Sequence, residues 1–358
     1  MEKRVSRRRN GSVLFWSVVL IPVLLMVGLV SVDAGAIYTT RSKLQGATDS
    51  AARYAAMALR EGNVSEARKH AKDAMRDDTI GGAKVKLENS DIEFGLWDPK
   101  HATFTVVPVG EEAGATAVRV TARMRKDEGT GAQSYFGTIF GYNSYSLTTQ
   151  ATAAIGEPVS VEIKATSSPY LAGVGPGGEI PFTGYSELDW APSASTWEAC
   201  GPAEVEVALS PGERLWFRDV EGSTGDYNSG LTYGLEGNLS RPRMAQTPVN
   251  GFDTTYAPLN SLMGVFLTDD APQSTGYVPG LDYSDETLRE QLVHDPLNKQ
   301  IFFIGDGVRN KDSRLQEFIV PDGATRLFLG LSDENGFWWD NFGNYRTTLF
   351  KGDIQLVD

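Results

Sequence analysis

The sequence predicts an α+β protein: a long amino-terminal helix with a small antiparallel sheet, followed by an all-β sandwich or jelly roll. An uncharged apolar run near the amino end continues into a helical pattern. After residue 85 the apolar residues alternate as in strands, and from about residue 159 onward short apolar runs alternate with turn sequences. The 358 residues leave room for two domains, each with its own core.

The apolar run predicts a transmembrane helix over residues 12–32. No charge occurs from Ser12 to Val32, and 21 helical residues span about 30 Å, the thickness of a bilayer's hydrocarbon core. Five basic residues precede the run in "MEKRVSRRRNG", and the first acid after it is Asp33. The positive-inside bias therefore predicts that residues 1–11 are cytoplasmic and that the rest lies outside. A cleaved secretory signal is the alternative, but its apolar region is usually shorter.

The pattern of small and apolar residues predicts that the helix continues beyond the membrane and packs against another element. The sequence "AGAIYTTRSKLQGATDSAARYAAMALREG" repeats such residues at steps of three and four, and Gly62 ends the pattern. A second helix is predicted from Ser65, as its cap, to Arg76. Alternating segments such as "DIEFGLWD" and "TAVRVTARMR" then predict strands. These elements form a predicted α+β module over residues 33–157.

The segment "RRRNGSVLFWSVVLIPVLLMVGLVSVDAGAIYTTRSKLQGATDSAARYAA" resembles the amino-terminal part of TadE/TadG-like proteins, the pseudopilin-like components of tight-adherence (Flp-type) pilus systems. The resemblance rests on the apolar helix, the aspartate after it, "RSKLQ" and "ATDSAA". It implies an envelope protein associated with pilus assembly, with other pilus or assembly subunits as partners. A prepilin processing site would follow Gly11, but the glutamate expected five residues later is Trp16.

Residues 158–358 are predicted to form the β-sandwich domain. Apolar runs such as "RLWFRDV", "LMGVFLTD" and "RLFLGLSD" are bounded by turn sequences such as "SPGE" and "PDG". Only residues 285–295, "DETLREQLVHD", have a helical pattern. The Gly-, Pro- and Ser-rich residues 167–196 are predicted to be irregular, with aromatic residues that dock part of the segment.

This second part is similar to calcium-dependent, galactose-binding bacterial lectins of the LecA kind. The resemblance rests on "LSPGERLWFRD", "PLNSLMGVFL", "FIVPDGATRLFLGLSD" and the asparagine-containing loop after it. The family's calcium-ligand spacing then falls on Asp333, the Phe337 carbonyl, Asp340 and Asn341, with a further carbonyl near Gly225. Asp340 replaces an asparagine of the family pattern. Calcium prefers such hard oxygen ligands.

Residues beside the loop are candidate sugar contacts. Trp338 and Trp339 offer flat apolar faces suited to a pyranose, and Glu334 lies in the same loop, directly after Asp333. Two other interpretations remain: the tryptophans serve only in packing, and the loop is a polar turn whose Asp and Asn side chains bond to their own backbone.

Charge and composition limit the function classes. Residues 1–160 contain 20 basic and 17 acidic residues, whereas residues 161–358 contain 13 and 29, so the second part is a poor candidate for binding nucleic acid. Three histidines and the single Cys200 leave few catalytic options, and a buried thiol is the simplest role for the cysteine. Cleavage of glycans would require carboxylates paired at a set separation.

The sequence therefore predicts a non-enzymatic protein of the bacterial inner membrane, a pilus component displaying a calcium-dependent adhesion domain for cell-surface glycans. The alternative is a structural minor pilin whose β domain binds no ligand.

Overall fold

The computed structural model describes residues 11–357 except 77–78, 157, 176–199, 227–229, 245–247 and 334–336. Residues 1–10 of the predicted cytoplasmic segment lie outside this range. The chain forms two compact units, Met1–Ala154 with Ile354–Asp358, and Ile155–Asp353. The first unit combines helices with a sheet and the second is built largely of strands, so the predicted α+β class with an all-β domain is confirmed.

The first unit contains two helices and a five-stranded antiparallel sheet of order β23-β8-β5-β3-β4. Two short hairpins, β1–β2 and β6–β7, accompany the sheet. Its elements are α1 (Gly11–Arg60), α2 (Val64–Arg76), β1 (Thr79–Ile80), β2 (Ala83–Lys84), β3 (Ile92–Asp98), β4 (Thr103–Val106), β5 (Ala117–Met124), β6 (Ala132–Gln133), β7 (Ser144–Tyr145), β8 (Leu147–Ala154) and β23 (Gln355–Leu356).

Helix α1 passes through two different environments within the unit. The large apolar side chains described between Phe15 and Val32 are exposed except for the half-buried Leu29, whereas from Leu44 to Leu59 the predicted small-residue stripe is buried. This buried part packs against α2, β5 and β8. Small side chains such as Ala51 and Ala55 allow the helix to approach the sheet closely.

The cap of helix α2 lies two residues earlier than predicted. The Asn63 side chain accepts a hydrogen bond from the Glu66 backbone N–H at 3.0 Å, so Asn63, not Ser65, caps the helix. The Arg68 guanidinium then donates to the Glu112 carboxylate at 2.6 Å and joins α2 to the loop before β5.

The second unit is a sandwich of two sheets. A four-stranded sheet has the order β10-β21-β15-β17, and a six-stranded sheet has the order β16-β20-β11-β22-β9, with β12 also paired to β11. Its elements are β9 (Pro158–Lys164), β10 (Ala203–Glu204), β11 (Arg214–Asp226), β12 (Thr232–Tyr233), β13 (Asn238–Met244), β14 (Tyr256–Leu259), β15 (Leu262–Leu267), α3 (Glu286–Arg289), β16 (Val293–His294), β17 (Ile301–Phe303), β18 (Val308–Arg309), β19 (Arg314–Leu315), β20 (Glu317–Ile319), β21 (Arg326–Leu331) and β22 (Asn341–Lys351).

One hydrophobic core fills the space between these two sheets. The Phe302 ring of the four-stranded sheet lies 5.4 Å from the Phe318 ring of the six-stranded sheet, centroid to centroid. Tyr170, from the segment predicted to be irregular, is fully buried in the same core. The rest of that segment from residue 176 onward lies outside the described residues.

Two features differ from the sequence prediction. The predicted helix over residues 285–295 is only the four-residue α3, and its end is replaced by β16, which pairs with β20. The predicted β domain extended to residue 358, but residues 354–358 belong to the first unit, because β23 pairs with β8 and the Val357 N–H donates to the Thr152 carbonyl. Along the sequence, the second unit is thus inserted between β8 and β23, two paired strands of the first unit.

Candidate metal centre and membrane anchor

The predicted calcium loop connects the two sheets of the second unit. It leaves β21 after Leu331 and enters β22 at Asn341. Residues 334–336 lie outside the described residues, so the predicted sugar contact Glu334 has no structural account. The described residues of the loop lie at its two ends, and their side chains indicate which ligands the loop could bind.

Local hydrogen bonds close the loop. The Trp338 indole N–H donates to the Leu331 carbonyl at 2.8 Å, which ties the end of the loop to its beginning. Residues 338–340 form one turn of 3-10 helix, in which the Asp340 N–H donates to the Phe337 carbonyl at 3.1 Å.

Asp333 and Asn341 form the buried base of the loop. Both are at most 4% exposed, and the Asn341 amide nitrogen lies 2.7 Å from a carboxylate oxygen of Asp333 and 3.3 Å from the Ala165 carbonyl. The Asn341 Oδ1 atom is buried and has no hydrogen-bond partner within the described part of the chain. Leaving such an oxygen unpaired costs about 1 to 3 kcal/mol, so this position favours a further ligand.

Two more carboxylates face the same region. Strand pairing sets Asp226, the last residue of β11, opposite Asn341. Burial, and then the negative charge of Asp226, raises the pKa of Asp340 to about 6. Tyr233 donates its hydroxyl to the Asp226 carboxylate at 3.1 Å. The loop therefore brings buried carboxylates close enough for the charge of Asp226 to act on Asp340.

Gly225 is needed at its position for a steric reason. A Cβ atom there would lie 2.4 Å from the Leu231 carbonyl oxygen and 2.6 Å from the Phe342 ring. Gly225 pairs with Phe342, one position along the ladder from the Asp226 and Asn341 pair. The glycine thus permits the close strand approach that places Asp226 beside the loop.

The residues present fit calcium by chemical type. Asp333, Asp340, the Asn341 Oδ1 atom and the Phe337 carbonyl supply hard oxygens, and the unpaired Oδ1 is the observation that favours an ion. In the described ranges, however, no three carboxylate, histidine or cysteine side chains already stand together at a metal-binding separation. The carboxylates would have to close around the ion.

The structure corrects one predicted sugar contact. Trp338 is 2% exposed, and its ring packs 6.0 Å from that of Tyr170, centroid to centroid, so it has no face available to a sugar. Its role is to close the loop and fill the core. Trp339 is half-buried and packs on the edge of the same core.

Asp226 is the site residue that the sequence analysis missed. Its neighbour Gly225 was chosen for a carbonyl, whereas the structure also brings the Asp226 carboxylate to the loop. The signal was present in "GSTGDY", but only the pairing of β11 with β22 connects it with Asn341.

The amino-terminal part of α1 has the properties of a membrane anchor. Among the described residues, α1 is the one helix long and apolar enough to cross a bilayer, and its apolar part is not buried by the rest of the protein. Gly11, the predicted processing position, is the first residue of this helix. A single helix of this kind fits a single-pass anchor.

Comparison with known proteins agrees with the resemblance of the amino-terminal segment. Residues 11–58 match a family model described as putative Flp pilus-assembly TadE/G-like. No curated protein matches the chain. The matched residues coincide with nearly all of α1, from its exposed apolar part to its buried stripe. The match supports involvement of this chain in assembly of Flp (tight-adherence) pili, with other components of that system as interaction partners.

Proposed function

We propose that this chain is a non-enzymatic, single-pass component of a Flp-type pilus system in the bacterial inner membrane. Its amino terminus lies in the cytoplasm, residues 12–32 cross the membrane, and the chain from Asp33 onward lies outside. The observation that carries the proposal is the division of α1 into an exposed apolar part and a buried carboxyl-terminal part. A soluble protein would have to cover the first part, which matches the thickness of a bilayer.

The charge pattern supports the orientation. Basic residues precede the apolar run, and Asp33 is the first acid after it. A test is to place a charge inside the run, since an aspartate in a membrane helix costs up to about 2.5 to 3.5 kcal/mol on insertion, the value for the centre of the helix. Val27→Asp should reduce the membrane-bound fraction and the number of pili in cells, and Val27→Leu is the matched control.

Equal loss of pili in both variants would point to a packing role for Val27. Normal pili and normal membrane association with Val27→Asp would contradict an anchor in this segment. Protease treatment of spheroplasts tests the orientation separately, because only a carboxyl-terminal part outside the membrane would be digested.

The second unit is proposed to bind calcium and, through it, carbohydrate on cell surfaces. Asp333, Asp340, Asn341 Oδ1 and the Phe337 carbonyl would hold the ion, with further oxygen from the strand end at Gly225. Calcium would supply positive charge to the buried carboxylates and offer open positions to sugar hydroxyls. The proposal of carbohydrate binding rests on the resemblance to the lectins. The buried Trp338 does not support it.

Glycan-array binding in calcium and in EGTA tests this part. Binding that requires both calcium and Asp333 supports the proposal, with Asp333→Ala as the loop variant. Calcium binding without any glycan signal would instead favour the structural alternative, a pilus component whose β unit is stabilised by calcium. The unpaired Asn341 oxygen is compatible with that alternative as well.

A further inference from the structure

A turn in the first unit presents an unusual surface beside the membrane anchor. Residues 134–142, here called the aromatic turn, lie in the connection between β6 and β7. Tyr135, Ile139, Phe140 and Tyr142 are 50 to 67% exposed. The whole stretch from residue 129 to residue 156 contains no Asp, Glu, Lys or Arg. An exposed, uncharged group of large side chains marks an interaction surface rather than an ordinary solvated loop.

We propose that the aromatic turn docks on the lipid bilayer, at the headgroup boundary where the apolar part of α1 ends. This inference rests on the membrane anchoring proposed above and adds a second, peripheral contact with the same membrane. Tyrosine side chains favour this depth because the apolar ring is buried while the hydroxyl stays near water, and Phe140 adds a wholly apolar ring beside them.

Asp33 fixes the aromatic turn at the right depth. Its buried carboxylate accepts hydrogen bonds from the Ser134 hydroxyl at 2.6 Å and from the backbone N–H groups of Tyr135 at 2.8 Å, Phe136 at 3.1 Å and Gly137 at 2.6 Å. Asp33 directly follows the apolar run of residues 12–32. The turn is therefore held beside the helix at the point where the helix would leave the hydrocarbon.

The backbone of the turn suits an environment with little water. Besides the three N–H groups bound by Asp33, those of Ile139, Gly141 and Tyr142 donate to carbonyls within the turn at 2.9 to 3.1 Å. The Ser134 N–H donates to the Asn143 carbonyl at 3.0 Å. Satisfied backbone groups lower the cost of leaving water, which is the main obstacle to placing a loop near lipid.

A groove joins the turn to the anchor and identifies lipid as the occupant. The groove has a volume of about 280 Å³, and its walls come from both α1 and the turn. Leu29 and Val30, which lie inside the apolar run, line it together with Phe140 and Tyr142. A surface continuous with the membrane-exposed face of α1 meets acyl chains and headgroups before it can meet a protein partner.

The far end of the same unit supplies a control position. Helix α1 extends 27 residues beyond Asp33 to Arg60, which corresponds to about 40 Å. Arg68, near the start of α2 and close to that far end, contacts Glu112. Val109, three residues before Glu112, is 92% exposed. A probe at Val109 should therefore remain in water.

The experiment measures depth in the full-length protein reconstituted at low density into phosphatidylcholine–phosphatidylglycerol vesicles. Ile139→Cys and Val109→Cys are labelled with an environment-sensitive fluorophore in a Cys200→Ala background. Quenching is compared between aqueous iodide and lipids carrying a spin label near the headgroup. We expect iodide quenching at position 139 to be several-fold weaker than at 109, and quenching by the labelled lipid only at 139.

Asp33→Ala should move the label at 139 toward water and leave position 109 unchanged. If position 139 is as accessible to iodide as 109 in protein that floats with the vesicles, the inference is wrong. Protection at 139 that appears only at high protein density, without quenching by labelled lipid, would assign the surface to a second subunit and also overturn it. Failure to float would instead contradict the membrane anchor itself.

Discussion

Replacing Asp340 by asparagine should stabilise the calcium-free protein at neutral pH and abolish its response to calcium. Burial and the charge of Asp226 raise the pKa of Asp340 to about 6, from an ordinary value of 3.8. Its native-state proton therefore contributes stability that is fully present below pH 3.8 and is lost as the pH rises through 6. Above pH 6 the ionised carboxylate is a cost, which the neutral amide of asparagine avoids.

The size of this effect follows from the pKa difference. A rise from 3.8 to about 6 corresponds to at most about 3 kcal/mol, and screening by solvent near the loop reduces it to about 1 to 2 kcal/mol. The second unit has 199 residues, Ile155 to Asp353. For a unit of this size, 1 kcal/mol shifts the melting temperature by roughly 2 to 4 °C. The expected gain at pH 7.5 in EGTA is thus about 2 to 8 °C.

Calcium should stabilise the wild-type protein and leave the asparagine variant almost unchanged. At a free concentration of one hundred times its dissociation constant, a ligand of the native state adds about 2.7 kcal/mol. The wild-type protein should therefore gain roughly 5 to 11 °C, saturably, and more above pH 6 than below it, because protons compete for Asp340. The asparagine variant should gain little.

The assay follows the tryptophan fluorescence of detergent-solubilised full-length protein during heating, since Trp216 and Trp338 are buried in the second unit. Asp322→Asn, an exposed aspartate of the same unit, is the matched control and should behave as wild type in all conditions. Lower stability of the Asp340 variant at pH 7.5 in EGTA would refute the electrostatic reasoning. An unchanged wild-type melting temperature in calcium would refute the metal centre.

Three further predictions concern stability elsewhere in the chain. Burial raises the pKa of Glu236, whose carboxylate accepts the Asp306 N–H, from 4.5 to about 7. The stability that protonated Glu236 contributes is lost as the pH rises through 7. In thermal unfolding, Glu236→Gln should therefore be up to about 3 kcal/mol more stable than wild type at pH 8 and equally stable at pH 4. Lower stability of the variant at pH 8 would contradict this. Leu44→Ala, in the buried part of α1, should cost about 2 to 5 kcal/mol, whereas Leu24→Ala, in the exposed run, should cost the first unit little in denaturant unfolding. Ending the chain at Asp353 removes β23 and should accelerate hydrogen exchange in β8 without changing unfolding of the second unit; unchanged exchange would show that β23 adds no protection.

The sequence was sufficient for the elements that have a long, regular pattern. The apolar run, the alanine stripe of α1 and the strands β5, β15 and β21 repeat their signal over several residues, and each occurs where the pattern predicts it. Strand β23 has only Gln355 and Leu356, which is too short for any periodicity. Its pairing with β8 is a long-range event, and for that reason the inserted position of the second unit could not be predicted.

The candidate metal centre shows the same limit at the level of side chains. The resemblance to the lectins implied Asp333, Asp340 and Asn341 as ligands, and all three are buried. Asp226 joins them through the register of β11 and β22, over more than a hundred residues of sequence. Trp338 was assigned to sugar binding because sequence shows the type of a side chain but not the direction in which a tight turn points it.

Asp33 connects membrane insertion with folding of the first unit. A carboxylate directly beyond a membrane-spanning run is costly unless it is hydrated or fully hydrogen-bonded, and here four donors of the aromatic turn surround it. The hydrogen bond from Ser134 lowers the pKa of Asp33 most, although burial acts in the opposite direction. These donors come from residues about one hundred positions later in the chain. The Asp33 carboxylate therefore receives all its hydrogen bonds only after the hairpin β6–β7 has folded against the helix. A variant that disrupts this turn should lower the stability of the first unit and also change its position at the membrane.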